Sequence, residues 1–389
     1  MTRLLLLEPA PEARWAPFAG CRPVAELRAG VWRIRERWEA VTGLEAAAIV
    51  GDHVLGFAED GVPPVEAHGH VEGPAIIAAA WFAPSGEAVE LPASGRLAHE
   101  GRTVGWVVPE GARWEGPSDE GPASEIGGLV LEGAWDLLTA LELFLPADCQ
   151  GALADAGGFE LPPGSIVLGD PGDVLILSEL VEPGVVFDVR AGAIVIEEGA
   201  EVRAGTRLEG PLFVGPATRV LGGAVRGSVL GPECRIHGEV AASVFLGFAN
   251  KSHDGFVGHS VVGLWANLGA GTITSNLKNT YGEVALEPAG TRIATGRQFL
   301  GSLVGDHAKT AIGTLFGTGT IIGAGANVFG AGPVPKWVPP FAWGLAGAER
   351  MSEAGFVEVA KRVLPRRHVA VTPAVEASLR ATWARLAGR

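Results

Sequence analysis

The sequence predicts an α/β domain over residues 1–150, a parallel β-helix over 165–340 and a helical segment over 341–389, with a linker at 151–164. Three observations carry this reading. Apolar residues recur every six positions through the middle of the chain, strand-like and helix-like patterns alternate before that stretch, and helical spacing replaces the period after it. The 57 glycines, about twice the usual ~7%, suit a backbone that turns many tight corners.

In the first region MTRLLLLEP reads as an opening strand, VAELRAGVWRIRERWEAV as an amphipathic helix, EAAAIVGDHVL as a second strand and GAWDLLTALELFL as a helix ending at Pro146. Strands alternating with helices predict an α/β layer. The Gly-, Ala- and Pro-rich 151–164 predicts the linker.

From Val195 the period is six: Ile196, Val202, Leu208, Val214 and Val220, then after a slip Leu230 and Ile236, Val262 and Leu268, and Val304, Thr310, Phe316, Ile322 and Val328. Six is neither the helical period nor strand alternation. In a parallel β-helix each hexad supplies one short strand and a corner, one side chain per hexad fills a narrow core, and Gly or Asn takes the left-handed corners. After Pro340, SEAGFVEVAKRVLPR and TPAVEASLRATWARLAG read as helices, the second with Thr372 as N-cap and Pro373 at the first helical position. Such helices are expected to cover an open solenoid end or pack on a neighbouring subunit.

A net charge of −14 argues against a nucleic-acid partner while leaving room for a local phosphate pocket. Cys21, Cys149 and Cys234 show neither metal spacing nor a disulfide framework, which fits a reducing, cytoplasmic setting. No run reaches ~18 apolar residues, so no membrane span is predicted.

Residues 250–282 stand apart, holding four of the five Asn, two of the five Lys and the only Tyr. His253 is the natural general base near neutrality. Lys251 and Lys278 suit an anionic substrate group, Asn267 and Asn276 a sugar hydroxyl or amide, and the small Gly269, Ala270 and Gly271 a closely approaching ligand. Asn in such a coil also stacks in ladders or takes left-handed corners. No Lys precedes Lys251, although Lys and Arg total 30, so Lys is kept where a compact ammonium matters.

H-x-x-F-x-G followed by N-L-G-A-G-T-I-T-S-N resembles the acetyltransferase half of the bifunctional bacterial enzymes that make UDP-N-acetylglucosamine, which are left-handed β-helix trimers. His253, Asn267 and Asn276 keep that family's intervals of fourteen and nine residues. RPVAELRAG, NKSHDGF, GDHAKTAIGTLFGTGT, NVFGAGPVPK and VAKRVLPRR resemble a divergent subfamily in which a sugar nucleotidyltransferase is fused to a glucosamine-1-phosphate acetyltransferase. The resemblance implies a homotrimer that uses acetyl-CoA and a sugar phosphate. His253 is then the base for the glucosamine amine, backbone amides near Gly269–Gly271 hold the oxyanion, Asn276 and Lys278 hold the sugar phosphate, and Ser302, Lys309 and Gly323 lie near the coenzyme. Two departures bear on the acceptor: Phe256 replaces a Tyr, and Leu277-Lys278-Asn279 replaces Tyr-Asp-Gly.

The N-terminal domain reads as a reduced nucleotidyltransferase. It lacks the Gly-rich phosphate loop, and Val24 stands where the family has Lys. Arg22, Arg28, Arg33 or Arg35 would have to meet the nucleotide phosphates, and Asp52 is the candidate for magnesium. Other metal binding is undetermined. Two further readings compete: a non-catalytic scaffold that binds a sugar nucleotide, and a zinc enzyme of the β-helix carbonic anhydrase kind using His237, His253, His259 and His307. The six-residue step from His253 to His259 places those two on different sides of a coil.

Overall fold

A computed structural model describes residues 1–86, 88–155, 160–345 and 347–388. In the N-terminal region a seven-stranded mixed sheet runs in the order β7-β5-β6-β4-β1-β2-β3. Its strands are β1 (Arg3–Leu7), β2 (Ala46–Val50), β3 (Val65–Glu66), β4 (Ala75–Ala79), β5 (Gly95–His99), β6 (Arg102–Val108) and β7 (Ala123–Glu125). The run of leucines makes β1 a central strand buried on both faces: Leu4 and Leu6 join one core cluster, Leu5 and Leu7 another. Strand β1 is parallel to β2 on one side and β4 on the other. Their carboxyl ends therefore flank a topological switch point, where open α/β sheets bind ligands.

The predicted first helix is shorter than expected. Val24–Glu26 is a 3-10 turn and Arg28–Ala29 pairs with Trp32–Arg33 as a tiny hairpin before helix α1 (Ile34–Thr42) begins. Gly30 turns that hairpin at φ 73°, and a side chain there would collide with Asp148. Helix α2 (Asp136–Asp155) runs through Pro146 instead of stopping at it. Pro146 lies on the exposed side, where water can meet the freed carbonyl, while Leu141, Leu145 and Cys149 on the other side are buried. Residues 151–155 of the expected linker thus belong to α2, and 156–159 lie outside the described residues. By length and composition α2 could cross a membrane, although the sequence reading found no such segment. Its buried side chains join the core cluster shared by the sheet and the solenoid.

The hexads build a three-sided parallel β-solenoid. Its first face carries Glu201–Val202, Arg219–Val220, Arg235–Ile236, Asn250–Lys251, Lys309–Thr310 and Asn327–Val328. The second runs from Ile166–Leu168 through Glu239–Ala241 to Phe256–Gly258, and the third from Val174–Ile176 to Trp337–Val338. Ile196, Val202, Leu208, Val214, Val220, Leu230 and Ile236 are all 0% exposed, worth about 1.5–3 kcal/mol each. The period slips because some corners are a residue short, as from Val220 to Val225 to Leu230. After the second-face rung Ile273–Thr274 the chain leaves the coil and rejoins the third face at Ser302–Val304.

No described Asn takes a left-handed corner. Ala217, Glu233, Phe248, Trp265, His307 and Phe341 do so where the third face meets the first, and Ala242 and His259 where the second meets the third. The aromatic corner is a docking surface: Phe248 stacks on Trp265, Trp265 on His307, and Phe356 meets His307 edge-on. Phe356 belongs to helix α3 (Glu353–Val363), capped by Ser352, and α4 (Pro373–Leu386) is capped by Thr372 as the sequence predicts. These helices bind the N-terminal region to this corner. Ser378 accepts from the Ala58 amide, and Arg385 donates to the carbonyls of Gly20 and Leu55.

Candidate active site along the second face

His253 sits at the corner between the first and second faces, exposed, with no ring hydrogen bond among the described residues. What fixes this corner is Lys251. Its side chain turns inward to the position that Val220, Ile236 and Leu268 fill elsewhere, is 2% exposed, and donates to the carbonyls of His237 (2.6 Å) and His253 (2.8 Å). Burial pulls its pKa down to about 8, against the weaker pull of Asp254. Lys251 is therefore a core residue and not an anion ligand.

Across the second face lies Asn276, whose Nδ2 is 2.8 Å from Nδ1 of His259 on the coil below. The His259 ring stacks on Phe299 at 5.1 Å, and burial, helped by Arg297, lowers its pKa. With the Asn276 amide donating to Nδ1, the neutral ring carries its proton on Nε2 and acts as a donor. Asn276 and His259 head a groove of about 660 Å³ that descends this corner past Arg226 and Arg190. Between the two edges the Phe256 ring folds over Gly258, where a Cβ would collide with it. The face above is apolar and open, with Ile273 43% and Leu315 61% exposed. His253, Phe256, Asn276 and His259 thus border one strip of surface.

Other predicted residues are placed elsewhere. Asn267 lies on the first face, accepting from Asn250 Nδ2 at 2.7 Å, beneath the C-terminal segment. Lys278, in the excursion from the coil, donates to the Glu283 carbonyl. The amides of Gly269, Gly271 and Gly323 bond to Thr310 Oγ1, the Asp254 carbonyl and the Val338 carbonyl, so they hold neighbouring coils and cannot serve an oxyanion. The Ala270 carbonyl accepts from Gly313, a bond that leaves the Ala270 amide uncommitted. Ser302 is fully buried; its amide donates to Ser260 Oγ and its own Oγ has no partner, which places the hydroxyl inside the coil and away from any coenzyme. Lys309 donates to the His307 carbonyl at 3.0 Å.

At the switch point of the N-terminal sheet a cleft of about 520 Å³ opens beside Glu8, Asp52, His53, His68 and Trp81. Among the described residues no Lys or Arg lines it. Arg22 is buried at the junction with the solenoid, bound to Glu59 (2.5 Å) and Asp306 (2.8 Å), and Arg28 donates to the carbonyls of Leu246 and Val31. Neither arginine reaches the cleft, because each is used to hold the two halves together. The amides of Val24 and Ala25, which could have faced a phosphate, donate instead to Glu8 at 2.7 and 3.0 Å. Burial lifts the Glu8 pKa to about 8 in spite of those bonds. Asp52 does line the cleft, with its Oδ1 accepting from the His68 amide. Among the described residues no three His, Cys, Asp or Glu side chains come together around a metal position, so a magnesium ion at Asp52 would have to take its other ligands from substrate phosphates and water.

Residues 4–152 match the sugar nucleotidyl transferase family model. The chain is 33% identical over 150 residues to a bifunctional sugar-1-phosphate nucleotidylyltransferase/acetyltransferase of Sulfurisphaera tokodaii, covering 36% of this chain and 35% of that protein. The chain is similar to these transferases over part of its length. It is also similar to the bifunctional protein GlmU of Methanococcus vannielii (34% over 96 residues, 23% of each chain) and of Jannaschia sp. (28% over 183 residues, 45% of this chain and 35% of the relative). The matches thus span about a third or less of each relative's length.

Glu8 and Asp306 are site and junction residues that sequence reasoning did not single out, and His259 it weighed only as a zinc ligand. His259 had a legible signal, a polar residue directly after Gly258 where the coil turns. The other two had none, because their partners lie 16 and 284 residues away.

Proposed function

We propose that the solenoid is an acetyltransferase of nucleotide-sugar synthesis, moving the acetyl group of acetyl-CoA to the amine of an amino-sugar 1-phosphate such as glucosamine-1-phosphate. The observation that carries this reading is the strip bordered by His253 on one edge and the Asn276–His259 pair on the other. His253 takes the proton as the amine attacks the thioester carbonyl; the tetrahedral intermediate collapses, the C–S bond breaks, and the proton goes to the departing thiolate. Asn276 and His259 orient the sugar. In the groove below, Arg190 is held by Asp188 and Arg226 pairs with Glu239 at 2.9 Å, so the phosphate has to draw Arg226 from that pair. Phe256 offers the sugar an apolar wall. The exposed apolar second face is where a neighbouring copy of a homotrimer would close the site, in the cytoplasm where both substrates occur.

A cleft that no Lys or Arg among the described residues lines favours a second reading for the N-terminal domain: it binds a nucleotide sugar without making one. Acetyl-CoA consumption with glucosamine-1-phosphate, in wild type and His253→Ala, tests the first reading. Pyrophosphate release from UTP and N-acetylglucosamine-1-phosphate tests the second. Loss of turnover in a folded His253→Ala supports the base, undiminished turnover removes it, and rapid pyrophosphate release overturns the binding-only reading.

A further inference from the structure

The segment Leu364–Arg367 that follows α3 closes a pocket of about 220 Å³ against the first face of the solenoid. Its polar lining is Asn250, Asn267, Lys309, Arg366 and Arg367, with no carboxylate among the described residues that form it. In a chain of net charge −14 such a concentration of positive charge is a specific feature. The two carboxamides are aligned by their 2.7 Å bond, and Asn267 and Lys309 occupy adjoining rungs.

Among the described residues none of the three cations has an acidic oxygen closer than 3.9 Å. Lys309 reaches only the His307 carbonyl, and burial pulls its pKa down to about 8 with no acid to oppose it. Arg366 forms no ion pair among the described residues. The buried Nε of Arg367 has no hydrogen-bond partner, and its nearest acidic oxygen, on Glu233, is 3.9 Å away and already bound by Arg235. Like charges gathered in a partly desolvated pocket repel one another, and an entering anion relieves that repulsion while filling the vacant donors.

We infer that this pocket binds the phosphate group of a phosphomonoester through Lys309, Arg366 and Arg367, with Asn250 and Asn267 bonding its remaining oxygens. The volume admits a phosphate and little more, and guanidinium groups match phosphate geometry. Asn267 was read above as suiting a sugar hydroxyl or amide and Lys309 as lying near a coenzyme, but the inference concerns phosphate binding alone and stands whether or not the solenoid transfers an acetyl group. A bound phosphate would also tie the C-terminal segment to the solenoid.

Calorimetric titration of the full chain at constant ionic strength tests this, with inorganic phosphate as the probe and chloride as the control. Saturable phosphate binding is expected, weakened about tenfold or more by Arg366→Gln and by Lys309→Gln. Arg366 is exposed, so its substitution leaves folding intact, and a melting curve in chloride checks both variants. The same titration identifies the source of the group: tighter binding of coenzyme A than of dephospho-coenzyme A assigns the coenzyme's phosphomonoester, and tighter binding of glucosamine-1-phosphate than of inorganic phosphate assigns the sugar's. Absence of saturable binding for all these probes, or equal affinity in the double variant, overturns the inference.

Discussion

Arg22 Nε lies 2.8 Å from Asp306 Oδ2, joining residues 284 positions apart through two side chains that are each about 95% buried. The Asp306 carboxylate also accepts from the Leu264 amide, and the Arg22 guanidinium also grips Glu59. The N-terminal region is thereby fastened to the corner of the solenoid that the C-terminal helices cover.

Arg22→Ala is expected to cost about 3–5 kcal/mol, because it strands the buried Asp306 carboxylate. Chemical denaturation followed by tryptophan fluorescence measures this. Arg22→Met combined with Asp306→Asn should cost less than Arg22→Ala alone, since the double change leaves no uncompensated charge at the pair.

Lys251 gives a signature in alkaline solution. Its amine holds its proton to about 10.5 when unfolded but only to about 8 in the folded core. Between these values the unfolded chain binds more protons, so raising pH stabilises the folded state. Wild type should gain stability relative to Lys251→Met between pH 8 and 10.5, by up to about 1.4 kcal/mol per pH unit. A constant difference across that range would show that the ammonium is not buried.

Glu8 behaves in the opposite sense. Its carboxyl ionises near 4.5 when unfolded and near 8 when folded, so the folded state binds more protons in between. Wild type should lose stability relative to Glu8→Gln as pH rises from 4.5 to 8. Melting temperatures of the two proteins through that range check it.

The two histidines of the second face separate by role. His253→Ala should lower acetyl transfer about 10²–10⁴-fold at unchanged stability, since the ring is exposed and the group removed is the base. His259→Ala should chiefly raise KM for the amino sugar, because it frees Asn276. Single-turnover and steady-state kinetics distinguish these outcomes.

Ser302→Ala should keep full turnover and raise stability by about 1 kcal/mol, because the buried hydroxyl has no partner to lose. A large fall in turnover would return Ser302 to the site.

The solenoid was legible because its period is local: each hexad repeats one apolar demand, and Ile196 to Ile236 obey it in the structure. The C-terminal caps were legible for the same reason, Thr372 lying three residues from the amide it accepts. Lys251 was misread because a lysine among polar neighbours resembles a ligand, and only the coil reveals that its position points inward. Ser302 and the glycine amides were misread because the bonds that occupy them come from coils 15 or more residues away. The N-terminal sheet was only partly legible, since β4 through β7 pair across insertions that leave no periodic trace.

The bond between Arg22 and Asp306 also sets a schedule for synthesis. At ~5–20 residues per second, the ribosome delivers Asp306 roughly 15–60 s after Arg22, and the α4 residues that lock the junction come later still. Throughout that interval a guanidinium destined for the interior must remain in water. The first 150 residues therefore cannot settle into their final form as they emerge, and nascent chains ending before residue 306 should be cut by protease in the loop that carries Arg22, while longer ones resist.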